Sequence, residues 1–116
     1  MGHPTIYPTG VTVYNPEKCW NGFTIFQALE VGAVLMNMNG RENKVWKGVH
    51  GFPNKIFPGG YLMTSRGSRD GRYGVQDGLD LVQIDWDGNV VWKFDRNEYI
   101  EDPGIPGRWM ARSHHD

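Results

Sequence analysis

Two stretches of this chain can be laid over each other, and that internal repeat restricts the possible fold more than any other feature. Each copy runs as an aromatic strand, a second apolar strand, a tight turn and a tryptophan-bearing strand. The first occupies residues 22–26, 33–38, the turn Asn39-Gly40, and 44–47; the second occupies 60–64, 79–86, the turn Asp87-Gly88, and 90–93. Asn-Gly and Asp-Gly between apolar strands predict hairpins of type I′, whose two central residues both need positive φ. A glycine- and arginine-rich loop over 65–78 interrupts the second copy.

The spacing sets the architecture to expect. Trp46 and Trp92 lie 46 residues apart and Gly40 and Gly88 lie 48 apart, which is the period of roughly 40–50 residues typical of propeller blades. The alternative is a small antiparallel domain with two similar hairpins. Two blades cannot close a ring, and fewer than about four would leave sheet faces open. The chain is therefore expected to be all-β and part of a larger propeller completed by another chain. Its organisation reads as an irregular leading segment over 1–20, a first blade over 21–47, a linker over 48–59, a second blade over 60–96, and a connection over 97–116 that ends in His-His-Asp. The linker and the connection both contain Gly-Pro-type breakers. No helix is predicted beyond one turn near Pro16 to Trp20.

Composition agrees with short strands and tight turns: sixteen glycines, seven prolines and fifteen aromatic residues stand among 116. A net charge of −1 with interspersed signs gives no electrostatic footprint for nucleic acid or an anionic membrane. No apolar run reaches the ~18 residues of a membrane span, and residues 1–4 carry no signal-peptide pattern, so the chain as written reads as cytoplasmic while its compartment stays open. The single cysteine, Cys19, excludes an internal disulfide and reads as a small buried side chain.

The densest group of titratable residues is Arg112-Ser113-His114-His115-Asp116. Imidazole can act as base, nucleophile or ligand near neutral pH, and a neighbouring carboxylate can orient the ring. In the repeat overlay His50 precedes the second blade much as His114 and His115 would precede a third, so these residues are expected to converge on one channel mouth. Arg112 beside them is the better anion-binding candidate. The loop over 66–74 follows the inner strand of its blade and is expected on the opposite face, as a solvated loop or inter-subunit contact. Trp20, Trp46, Trp86 and Trp92 read as blade-packing or turn residues.

Residues 9–18 and 21–26, Met36-Asn37-Met38-Asn39-Gly40 with Trp46, the run 57–62, the run 83–92, and His114-His115-Asp116 follow one another in an order that resembles the opening of arylsulfotransferase-like proteins. The resemblance covers nearly the whole chain, although Asp85-Trp86-Asp87-Gly88 is a pattern shared with other propellers. It implies a six-bladed propeller, of which this chain would be about the first third. It further implies nucleotide-independent sulfuryl transfer from an aryl sulfate to a phenol, ping-pong through a sulfated histidine. His114 and His115 would then be catalytic, with Arg112, His50 and Asp116 binding a small aromatic or anionic substrate, without a metal or cofactor. The covalent nucleophile would lie in a later blade. Similar proteins are longer and often exported, so a second chain, or a cleaved precursor, is expected to supply the missing blades. The competing readings are a different reaction on the same scaffold, such as a lyase or metal-dependent hydrolysis using His114, His115 and Asp116, and a non-catalytic scaffold subunit.

Overall fold

Short apolar runs cut by Gly, Pro, Asn and Asp give a strand wherever side chains alternate between two faces. The structure is a computed structural model that describes residues 11–50, 54–67, 77–78, 80–111 and 113–114. Among these there are eleven strands and no helix: β1 (Phe23–Ala28), β2 (Gly32–Asn37), β3 (Glu42–Lys47), β4 (Lys55–Phe57), β5 (Tyr61–Thr64), β6 (Asp77–Gly78), β7 (Leu81–Ile84), β8 (Val90–Phe94), β9 (Asn97–Asp102), β10 (Ile105–Ala111) and β11 (Ser113–His114). All pairings are antiparallel. Sheet 1 has the order β1-β2-β3 and sheet 2 the order β4-β5-β7-β8, with separate pairs β10-β9 and β11-β6. The all-β class expected from composition is what the chain adopts.

Both copies of the repeat close with the same turn, though not of type I′. Gly40 and Gly88 have φ of 78° and 89°, while Asn39 and Asp87 do not have positive φ. Gly40 N–H donates to the Asn37 carbonyl at 3.0 Å, and Gly88 N–H to the Asp85 carbonyl at 3.1 Å. Each is a type I turn followed by a left-handed glycine, the three-residue hairpin loop with a bulge. Asn37 Oδ1 accepts the N–H groups of Asn39 and Arg41 at 3.0 Å each, and Asp85 Oδ1 accepts that of Asn89 at 2.8 Å. These side-chain bonds stabilise the type I geometry over the mirror-image turn. They also hold the Asp85 carboxyl below its ordinary range, chiefly through the Asn89 side chain and then its N–H.

The two sheets pack face to face. Ala33, Leu35 and Trp46 from sheet 1, with Val49, meet Leu62, Val82 and Ile84 from sheet 2, and Ile25 packs at the edge. Full burial of each such aliphatic side chain contributes about 1.5–3 kcal/mol. Trp46 solves the polar problem of a buried indole by donating its Nε1–H to the Asp85 carbonyl at 3.1 Å. Its ring meets Trp86 edge-on, with centroids 5.3 Å apart at 82°. The Lys44 ammonium lies over both rings, 5.9 Å from Trp46 and 5.3 Å from Trp86.

Strand register corrects the overlay of Trp46 on Trp92. Leu35 pairs with Lys44 and Ala33 with Trp46, whereas Gln83 pairs with Trp92 and Leu81 with Phe94. Counting from the turn, Trp92 therefore corresponds to Lys44, and Trp46 to Phe94. Trp46 is 3% exposed and Trp92 46%, so only the former is an inter-sheet packing residue here, and Trp20 at 96% is not packed.

Three segments organise differently from a reading by breakers alone. Within 48–59, Lys55–Phe57 forms β4 and makes sheet 2 four-stranded. Within 97–116, Pro103-Gly104 is the turn of the β9-β10 hairpin rather than a disruption, and Tyr99 packs edge-on against Trp109 at 5.8 Å. Cys19 is exposed rather than buried, because it follows the turn at residues 16–18, ahead of sheet 1.

Candidate functional site

Sheets 1 and 2 are stitched together along β1 and β5 by polar side chains that the sequence pattern did not single out. Thr64, a buried residue of β5, donates its hydroxyl to Asn54 Oδ1 at 2.6 Å. Asn54 Nδ2 donates to Gln27 Oε1 at 2.9 Å, and Gln27 Nε2 donates to the Val49 carbonyl at 2.9 Å. This relay joins β1 of sheet 1 to β5 of sheet 2 through Asn54, the residue before β4, and every member is paired, as burial requires. Its signal in sequence was weak, since isolated Gln, Asn and Thr are ordinary strand and loop residues.

His50 stands at the end of this relay. It is exposed, and its backbone N–H donates to the Ser65 carbonyl at 2.7 Å. That bond brings the start of the loop, at residues 65–67, beside His50, where the expectation set the loop on the opposite face; residues 68–76 lie outside the described residues. The expectation took the incoming connection to lead straight into β5. Instead the chain enters through β4, which runs antiparallel to β5 and pairs Lys55 with Met63. One extra strand reverses the end, so the start of β4 and the finish of β5 lie side by side.

Asp80 then fixes where that loop departs. Its Oδ1 accepts three hydrogen bonds: Ser65 Oγ at 2.8 Å, Arg66 N–H at 2.8 Å and Gly67 N–H at 2.9 Å. Burial alone would push this carboxyl up, but the bonds from Gly67, Ser65 and Arg66, with the charge of Lys93, together hold it below the ordinary 3.8. A carboxylate accepting several N–H groups is a rigid, ionised anchor. Ser65 is thereby committed to Asp80 rather than free as a nucleophile.

A concavity of about 310 Å³ lies where β3 meets the turn of sheet 2 and is lined by Lys44, Trp46, Lys47, Arg66 and Asp87 among others. Two of its three cations are already engaged, Lys44 with the indoles and Arg66 Nη1 with the Gly88 carbonyl at 3.3 Å.

Of the residues expected to form a channel mouth, His114 lies in β11, where it pairs with Asp77. Arg112, His115 and Asp116 lie outside the described residues. His50 is thus placed beside Ser65 at the polar relay, and β11 brings His114 to β6, at the far end of the 65–78 loop. No family model, curated protein or solved structure matches the chain.

Proposed function

We propose that this chain is part of an arylsulfotransferase-like β-propeller enzyme, contributing its first two blades, with the rest of a six-bladed ring supplied by a second protein chain. The observation that carries the reading is the pair of antiparallel meanders stacked face to face, whose identical turns recur at 48 residues. The resemblance of the residue runs from Thr9 to Asp116 supplies the chemistry.

In this reading the sulfuryl group of an aryl sulfate passes first to an imidazole nitrogen in a later blade. The N–S bond forms as the S–O bond to the ring breaks, and the electron pair leaves on the phenolate. An acceptor phenol then gives its proton to His114 or His115, its oxygen forms the new S–O bond, and the N–S pair returns to the imidazole. Arg112 holds sulfate oxygens, where cationic donors count most as charge shifts toward the leaving oxygen. Asp116 and His50 complete the substrate-binding set.

Native mass spectrometry of the assembly, followed by denaturing mass analysis, tests the ring. A larger second chain is expected, and a folded monomer of this chain alone overturns the reading. With the assembly in hand, transfer from 4-nitrophenyl sulfate to phenol is expected to fall by about 10²–10⁴-fold in His114→Ala or His115→Ala. Unchanged turnover in both variants would leave the chain a scaffold subunit.

A further inference from the structure

The concavity between β3 and the turn of sheet 2 gathers positive charge that its neighbours leave uncompensated. Lys44, Lys47 and Arg66 line it together with one carboxylate, that of Asp87, so three cations face one anion. Lys44 and Arg66 are held by groups without net charge: the Trp46 and Trp86 rings in the first case and the Gly88 carbonyl in the second. Among the described residues none of the three cations is in an ion pair, whereas Lys93, outside the concavity, pairs with Asp95 at 3.3 Å. An ammonium over a ring, and a guanidinium with one N–H on a carbonyl, keep most of their donors for a further acceptor. The walls are also fixed in advance. Trp46 is tied to the Asp85 carbonyl and set edge-on against Trp86, and the Arg66 backbone N–H is tied to Asp80.

We infer that this concavity is a binding site for a small organic phosphate monoester. Its dianionic head is held from sheet 1 by Lys44 and, at the open edge of β3, Lys47, and from sheet 2 by Arg66. A monoester carries a charge of about −1.5 to −2 at pH 7, which matches the excess of cations over Asp87. Guanidinium and ammonium donors on phosphate oxygens are the stronger, charge-assisted kind of hydrogen bond. Apolar side chains in the lining, Val49 and Ile84, lower the effective dielectric beside those charges and give the substituent a surface to rest on. A volume of about 310 Å³ is at the small end of ligand pockets and admits a substituent the size of one ring. Because the head is gripped from both sheets, binding clamps them together and stabilises the fold. None of these lining residues belongs to the set assigned to sulfuryl transfer, so the inference does not rest on that reading.

The test is isothermal titration calorimetry of the native protein at pH 8 with phenyl phosphate and, separately, inorganic phosphate. Phenyl phosphate is expected to bind with a Kd on the order of 0.1–1 mM, about tenfold more tightly than inorganic phosphate. Arg66→Gln and Lys44→Gln, each first shown by urea unfolding to fold, are expected to weaken it about tenfold, the loss of one charge-assisted contact. Lys55→Gln removes a cation held over the Phe57 ring outside the concavity and is expected to leave binding unchanged. In heteronuclear NMR spectra the indole N–H signals of Trp46 and Trp86 are expected to shift on titration, and that of Trp109, in the β9-β10 hairpin, to stay in place. Undiminished binding in both Arg66→Gln and Lys44→Gln, or an equal loss in Lys55→Gln, places the anion elsewhere and overturns the site. Inorganic phosphate binding as tightly as phenyl phosphate overturns the monoester assignment. No binding of either compound overturns both.

Discussion

Sheets 1 and 2 are built on one plan and end in different situations. Their hairpins share the same five-residue turn, with an Asn or Asp at the first position and glycine at the fourth. Yet the equivalent faces differ: in sheet 1 the face is sealed by three aliphatic side chains and a tryptophan hydrogen bond, and in sheet 2 it holds half-exposed aromatics. The loop before the central strand differs too. Sheet 1 uses the short link 29–31, where Val31 N–H donates to the Ala28 carbonyl at 3.2 Å, while sheet 2 uses a long excursion pinned by Asp80. Position in a stack, more than local sequence, therefore decides what a given strand residue does.

The sharpest break of this comparison is between the two tryptophans. Trp46→Ala is expected to cost about 3–5 kcal/mol, the range for truncating a large buried aromatic, while the Asp85 carbonyl loses one of its two donors and keeps the Gly88 N–H. Trp92→Ala in the chain by itself is expected to cost less than about 1 kcal/mol, as at other half-exposed sites. Urea unfolding of the two variants measures both. Near-equal costs would mean that the two faces are equally covered, and the asymmetry would be lost.

That pair also marks what could be read from the sequence. The hairpins were legible because Asn39-Gly40 and Asp87-Gly88 punctuate apolar runs, and all six principal strands of the repeat fall where those runs stand. The turn type was not, although the signal was present: Asn37 and Asp85 three residues before the glycine favour a type I turn with a bulge. Aligning tryptophan on tryptophan misled by two residues, because a two-residue slip keeps the same face and leaves the alternation unchanged. β4 escaped notice as a three-residue strand, and with it the reversal that brings His50 to Ser65. The polar relay through Gln27, Asn54 and Thr64 has no periodicity, so only three-dimensional proximity reveals it.

Asp80 supplies the next contrast, since sheet 1 has glycine at the corresponding position, Gly32. Asp80→Ala leaves the Arg66 and Gly67 N–H groups and the Ser65 hydroxyl without their acceptor, at an expected cost of about 1.5–3 kcal/mol. The pH dependence has a definite sign. The folded carboxyl is held below 3.8, so its contribution is fully present above that pH and is lost as pH falls through the folded value. Urea midpoints of wild type and Asp80→Ala are therefore expected to differ at pH 6 and converge in strong acid. A constant difference across the range would mean that the carboxylate's charge is not what the loop uses.

The smallest effects should show where the two sheets agree. Gly40 and Gly88 occupy the same left-handed position, at φ of 78° and 89°. At Gly88 an added Cβ meets no atom within 4 Å, so Gly88→Ala isolates the backbone term from any clash. The expected cost is about 1–2 kcal/mol, that of placing an L-residue in left-handed geometry. Gly40→Ala should match it within about 0.5 kcal/mol, since the two turns share the same backbone hydrogen bonds. Asparagine at either site should recover part of the loss, because its side chain tolerates that region better than alanine does. Equal costs at turns 48 residues apart, set beside very unequal costs at the tryptophans, would separate what the repeat copies from what stacking adds. Unequal costs at the glycines would mean that the turns, too, are shaped by their neighbours.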